Sequence, residues 1–310
     1  MATATGILKP KRRESSMASI RREEMIAGYG FIAPAVLVLF VFMVVPIVGS
    51  LVLLLTDYSM LGEPSWVGLE NIKRLGSDKR MWTCYRNSAL ITLGATAGNS
   101  IMGFSLAMAI NRKMPKALRY LYRTALFFPV LTTTSSLALV WRFLLTKDRG
   151  IVNWALGQVG IAPISFLGDP RWAIRSVIIY DVWKACGYQM VLYLAGLQGI
   201  PESLYEAARI DGASGWKLTR HITLPLITPT AFFCITMATI GAFQIFDNAW
   251  VLTEGGPGDA SRTIAIYIYE TAFKHLELGY GCAIAFLLLL ILISLTLLQL
   301  WGSKRWVYYD

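Results

Sequence analysis

Six apolar stretches, at approximately residues 29–55, 88–110, 120–145, 173–198, 227–252 and 279–301, constrain this chain more than any other feature of its sequence. Each is about as long as a helix rising 1.5 Å per residue must be to cross a hydrocarbon core of about 30 Å. Inside lipid no water pairs with backbone N–H and C=O groups, so an isolated spanning segment satisfies them by becoming a helix. The expected fold class is all-α: a polytopic membrane protein with six transmembrane helices. The expected organisation is a polar, basic tail over 1–27, a six-span domain over 28–305 and a short end over 306–310. Part of 15–27 has the makings of an amphipathic surface helix.

Charge supports this reading by its scarcity and its placement. Only 15% of the residues are charged, where a soluble domain carries about 25%. The net charge of +10 would fit a nucleic-acid binder, but the cations cluster beside apolar runs. Lys9, Lys11, Arg12, Arg13, Arg21 and Arg22 fill the tail, and Arg112, Lys113, Lys116, Arg119 and Arg123 fill one short region without an acidic residue. Such clusters mark the cytoplasmic side of a membrane protein, so both termini are expected there and nucleic acid is not an expected partner. The run from Gly28 to Leu55 is too long for a signal-peptide core and lacks a small-x-small cleavage site, so it reads as a retained first span. Cys84, Cys186, Cys234 and Cys282 are far apart with no CxxC pair, which argues against disulfide or metal chemistry.

The loop between the fourth and fifth spans is the most informative segment. Pro201 suits a first helical position and Gly212 a helix stop. Ser214 is placed to cap a second short helix through about His221, and Pro225 to open the fifth span. Within it, Glu206-Ala207-Ala208, Gly212, Ile222 and Leu224-Pro225 stand at a spacing that resembles the EAA motif of ABC importer permeases. The resemblance implies a type I importer permease fold and a coupling helix seated on a separate ATP-hydrolysing subunit. It assigns that coupling to Glu206, Ala207, Ala208, Asp211, Gly212, Leu224 and Pro225. Two small alanines let a partner approach closely, and Glu206 offers it a carboxylate. No glycine in the chain is followed by lysine, so there is no GxxxxGK[ST] phosphate loop. The expectation is a non-catalytic subunit without a cofactor of its own, ATP and Mg being bound by the partner ATPase.

Further segments narrow the resemblance. Val67-Gly68-Leu69-Glu70-Asn71, Thr253-Glu254-Gly255-Gly256-Pro257, Ser261-Arg262-Thr263 and Tyr267-Ile268-Tyr269 are similar to outer-loop segments of carbohydrate-type permeases. They are most like the first permease of the pair in the maltose and glycerol-phosphate importer group, over roughly 28–305. That implies a second related permease, two ATP-binding subunits, an extracytoplasmic solute-binding protein and a saccharide-like solute, in the lipid of a bacterial inner membrane.

Polar groups inside spans are costly and are candidates for the solute pathway. Gly241, Gln244 and Asn248 stand at i, i+3 and i+7 in the fifth span, with Asp247, Phe243, Phe246 and Trp250 close by; the fourth span offers Tyr188, Gln189 and Tyr193. Amides and carboxylates suit sugar hydroxyls, and aromatic faces suit sugar C–H surfaces. The same groups equally suit contacts between helices. Asp181 and Lys184, three apart, are expected to neutralise one another. A secondary transporter is the rival reading, but two related halves and midplane ion-coupling groups are not evident. An intramembrane metalloenzyme is disfavoured because the two histidines, His221 and His275, fall outside the spans.

Overall fold

A computed structural model describes residues 17–59, 62–112 and 114–308, with the side chains of 17–20 and 23 excepted. The basic tail up to residue 16, Lys113 and the last two residues lie outside it. The chain forms two compact units, one ending at Leu53 and one beginning at Leu54.

In the first unit, α1 (Met17–Leu39), a π-helical turn (Phe40–Val44) and α2 (Val45–Leu53) follow without a break. The helix therefore runs straight through residues 27 and 28. The π turn lies just before Pro46, which has no N–H to donate and crowds the preceding turn.

The second unit opens with a two-residue ribbon, β1 (Thr56–Asp57) and β2 (Ser65–Trp66), paired antiparallel. Then come α3 (Glu70–Ser77), α4 (Lys79–Asn111), α5 (Lys116–Leu131), α6 (Thr134–Leu144), α7 (Ile151–Gln158) and α8 (Pro170–Gln198). The loop helices are α9 (Glu202–Ile210), α10 (Trp216–Leu218), a π turn (Thr219–Thr223) and α11 (Leu224–Leu226). The last part holds α12 (Thr228–Phe243), α13 (Asp247–Thr253), α14 (Ile264–Tyr269), a third π turn (Glu270–Lys274) and α15 (Leu278–Ser303).

Not every span is a single straight helix. Among the described residues, Glu24–Leu53, Lys79–Asn111 and Leu278–Ser303 are long and apolar enough to cross a membrane. Two bent pairs, Lys116–Leu131 with Thr134–Leu144 (99°) and Trp216–Leu226 with Thr228–Phe243 (65°), bring the number to five if each is one span. With 29 residues α8 is long enough to be the sixth, but Arg171, Arg175, Asp181 and Lys184 make it less apolar. The expected span 120–145 breaks where Thr132 and Thr133 become extended after Pro129. The expected span 227–252 breaks at residues 244–246, where Thr263 Oγ1 donates to the carbonyl of Ile245 at 2.8 Å. A later loop thus satisfies a carbonyl that a continuous helix would have used itself.

The most extensive helix pairing is α4 with α8. A Cβ added to Gly94, Gly98 or Gly103 would lie 2.7, 2.5 or 2.5 Å from Ile178, Val182 or Gln189 respectively. A stripe of small residues lets the two helices come this close. Because 94–103 faces 178–189 in the same order, the two helices run parallel. The α5–α6 pair runs antiparallel to α8, since Leu126 meets Gly187 while Trp141 stacks edge-on against Tyr180. One face of the unit therefore collects the end of α4, the start of α5, the end of α8, and α9. The end of α15 joins it, as Trp306 packs on Phe232 and the Tyr308 N–H donates to Thr228 Oγ1 at 3.0 Å.

The opposite face is tied by polar contacts. Asp78 caps α4 by accepting from the Met81 N–H (2.9 Å), and also accepts from the hydroxyls of Tyr267 (2.7 Å) and Tyr280 (2.6 Å). Asn71, at the end of the first outer-loop motif, donates to the carbonyls of Leu54 and Thr56, both at 2.9 Å. Arg80 chelates Asp259 at 2.9 and 3.0 Å, and Arg262 pairs with both Asp259 and Glu270 at 2.5 Å. Gly255 (φ +81°) is pressed against Arg262, so the Gly-Gly-Pro turn needs glycine there. The carbohydrate-type segments thus pin this face together.

The hydrogen bond from Arg80 holds the Asp259 carboxyl below its ordinary value of 3.8; burial opposes the shift and Arg262 adds to it. A carboxylate lowered in the folded state stabilises above its unfolded pKa, and the contribution fades as pH falls through the lowered value. Amide exchange of residues 254–263, corrected for intrinsic rate, is expected to be unchanged down to about pH 5 and to accelerate as pH falls below the ordinary carboxylate range. Acceleration at near-neutral pH instead would assign the loop's order to another group.

Candidate functional site

Two features stand out: a polar cavity between the helices, and an exposed helical loop at one face. The cavity, of about 370 Å³, lies where α4, α5–α6, α8, α12 and α13 meet. Its polar lining comes from Asn99, Thr134, Asp181, Lys184, Tyr188, Gln189 and Asn248. Asp181 links this lining, with Oδ2 accepting from Asn99 Nδ2 at 3.0 Å and Oδ1 from Asn248 Nδ2 at 2.9 Å. Three helices distant in sequence are joined through one carboxylate. Lys184 donates instead to Thr134 Oγ1 at 2.7 Å. Among the described residues it forms no ion pair with Asp181, which corrects the expectation of a mutually neutralising pair.

Gln189 donates from Nε2 to the Cys234 carbonyl at 3.2 Å. Both Gln189 and Asn99 give their amide nitrogen to a group that only accepts, so the orientation of each amide is fixed. What remains is Asn99 Oδ1 and Gln189 Oε1, two buried acceptors without a hydrogen-bond partner. Buried polar atoms are nearly always satisfied, and both unmet acceptors belong to residues that line the cavity. Gly103 makes room for Gln189, because any side chain there would strike its Cβ.

Of the expected pathway residues, the structure gathers Tyr188, Gln189 and Asn248 here. The other four lie elsewhere. Gln244 caps the end of α12 and lines a separate groove with Phe246 and Tyr269, because the break after Phe243 destroys the i, i+3, i+7 register. Trp250 stacks on Phe246 (5.8 Å, 9°) and meets Tyr269 edge-on, with Lys274 Nζ 4.3 Å from its ring. Asp247 is exposed at the start of α13. Tyr193 is core, edge-on to Phe104 at 5.6 Å. Sequence reasoning missed Asn99 and Thr134. Asn99 had a signal, a lone amide inside an apolar run beside Gly98; Thr134 had none.

Beyond the C-terminal end of α8, α9 presents Leu204, Glu206, Ala207 and Ile210 outward, Ile210 being 87% exposed. The helix ends as its sequence demands. Gly212 takes φ +79°, its N–H reaches the Arg209 carbonyl (3.1 Å) and the Ala213 N–H reaches that of Ala208 (2.8 Å). This is a Schellman cap. Pro201 precedes the helix as its cap rather than opening it, and Ser214 makes no side-chain cap. The second helix begins after Gly215 (φ +51°) and runs from Trp216 to Leu226, past Leu224 and Pro225. Tyr205 and Thr223 share a hydroxyl hydrogen bond of 3.0 Å that ties the two arms together. Asp211 stands exposed at the corner between them.

Comparison with known proteins adds an independent line. Residues 99–308 match the family model for the binding-protein-dependent transport system inner membrane component. The chain is 34% identical over 299 residues to the lactose transport system permease protein LacF of Rhizobium radiobacter, covering 94% of this chain and 98% of that one. It is 33% identical over 287 residues to the trehalose/maltose permease MalF of Thermococcus litoralis, covering 91% and 95%. Among solved structures, a bacterial ABC transporter importing the acidic polysaccharide alginate aligns with a TM-score of 0.81 at 23% identity, covering 93% of this chain and 98% of that one. At that identity the likeness speaks for the fold.

Proposed function

The chain belongs to the family of binding-protein-dependent transport system inner membrane components, and from this premise we propose how it handles its solute. It is a permease subunit of a carbohydrate ABC importer, residing in the inner membrane. The finer reading is that its cavity holds the hydroxyl groups of a polyhydroxylated, uncharged solute. The unmet acceptors of Asn99 and Gln189 carry this reading. Sugar hydroxyls are donors of the kind these atoms lack, and Tyr188 supplies an aromatic surface beside them. The cavity is lined by one acidic and one basic side chain, Asp181 and Lys184, so it offers no excess of either sign to select an ionic cargo.

Coupling follows from connectivity. Helix α9 joins α8 to α12, and both carry cavity residues, Gln189 on one and Gly241 on the other. A force on α9 from a closing ATPase dimer acts on both cavity walls, and the Tyr205–Thr223 bond keeps the lever stiff. In this reading α9 faces the cytoplasm and its partner subunits bind ATP and Mg, this chain performing no hydrolysis. A second permease completes the pathway, and an extracytoplasmic binding protein delivers the solute on the other side.

The test is uptake by the assembled importer in proteoliposomes, with binding protein and a saccharide panel. Gln189→Met is expected to lower uptake about 10- to 100-fold, the range for losing one or two hydrogen bonds to a buried solute, with basal ATP hydrolysis retained. Gln244→Ala is expected to transport as the parent does. Glu206→Ala is expected to abolish solute-stimulated hydrolysis. Equal uptake by the Gln189 variant would remove the cavity from the pathway.

A further inference from the structure

Helix α5 carries a groove that the transport reading leaves unused. It measures about 580 Å³ and is lined by one face of α5, from Lys116 to Leu131, with Val191 of α8 as its flank. The lining positions recur at i, i+3, i+4 and i+7, so they form a single stripe about 22 Å long. The stripe is sorted by polarity. Lys116, Arg119 and Arg123 occupy one end, and Phe127, Phe128 and Leu131 the other. No carboxylate lines it.

Arg119 gives one terminal nitrogen to the Arg112 carbonyl at 3.3 Å, yet its Nε is buried without a partner. A guanidinium left in that state at a membrane boundary seeks an anion. The cations lie on the face that holds α9, and the apolar end points toward the middle of the fold. From these observations we propose that the groove binds one anionic phospholipid. Its phosphate is held by Lys116, Arg119 and Arg123, and an acyl chain lies over Phe127, Phe128 and Leu131. The order of charge, then aromatic surface, then aliphatic surface along the stripe follows the headgroup-to-chain order of such a molecule. A neighbouring helix from another subunit is the competing occupant. It would have to bring acidic side chains to meet three cations. The lipid reading requires only that the chain spans a membrane, so it survives or fails independently of the solute cavity.

The importer, isolated as its complex and stripped of lipid, is offered phosphatidylglycerol, phosphatidylethanolamine or inorganic phosphate, and bound lipid is counted by native mass spectrometry. One phosphatidylglycerol per copy of this chain is expected, preferred over phosphatidylethanolamine by about 100-fold, as three near-surface cations provide. K116Q/R119Q/R123Q is expected to lose the preference, while K116R/R119K/R123K keeps it. Leu131→Trp, which fills the apolar end without touching charge, is expected to release the lipid. Equal retention of phosphatidylethanolamine, displacement by inorganic phosphate alone, or retention by the Leu131→Trp variant would overturn the proposal. So would a disulfide crosslink from Phe128→Cys to another subunit.

Discussion

Gly187→Val is expected to yield no folded permease at all. A Cβ at this position would lie 2.0 Å from the Leu126 carbonyl oxygen, far inside van der Waals contact and against backbone that has no rotamer to change. Helices α5 and α8 would have to separate over their crossing, opening the wall of the cavity that both of them line. Overpacking of a close crossing ordinarily costs about 1–3 kcal/mol, and a backbone-to-backbone clash is at or above the top of that range. Membrane-inserted yield and thermal stability in detergent report the outcome. Gly157→Ala in α7 is the control, because nothing lies within 4 Å of its Cβ. It should be neutral or slightly stabilising, since alanine is the better helix former. A stable, active Gly187→Val protein would mean that α5 and α8 cross differently from the arrangement described.

Asp181→Leu is expected to be the most damaging change within the cavity. The carboxylate accepts from Asn99 and Asn248, so removing it strands two buried amide donors at once. Each stranded donor costs about 1–3 kcal/mol. Lys184 would also lose the electrostatic interaction with Asp181, although the two do not form a direct ion pair. Asp181→Asn is less damaging but not silent, because an amide presents one acceptor where two donors wait. Asp181→Leu should therefore reduce both recovered protein and transport. Asp181→Asn should retain assembly and lose uptake about 10-fold or more. If Asp181→Asn transported normally, the bridge would matter for folding alone, and the cavity's recognition would rest on Asn99 and Gln189.

These two residues illustrate different degrees of legibility. Asp181 is visible in the sequence as a charge inside a span, and spacing alone pairs it with Lys184, three residues on. Local spacing favoured a pair that tertiary structure did not make. The real partners are 82 and 67 residues away. Gly187 carried no local signal; a glycine in an apolar helix is unremarkable until another backbone passes over it. Likewise Gln244 and Asn248 share a face only if the helix between them is continuous. The Thr263 hydroxyl that accompanies the break there comes from a loop 18 residues further along.

The chain's membrane class, its helical character, the helical loop between α8 and α12 and its family were determined by the sequence alone. Those properties rest on short-range physics: hydrocarbon thickness, backbone self-satisfaction, and the conformational freedom of Gly212 at the close of α9. Where the spans bend, how closely α4 and α8 approach, and which polar groups share a cavity were decided only by tertiary structure. Each depends on atoms that lie near one another in space while far apart along the chain, so no periodicity encodes them. Asn99, Asp181 and Asn248 become one site because α4, α8 and α13 meet there.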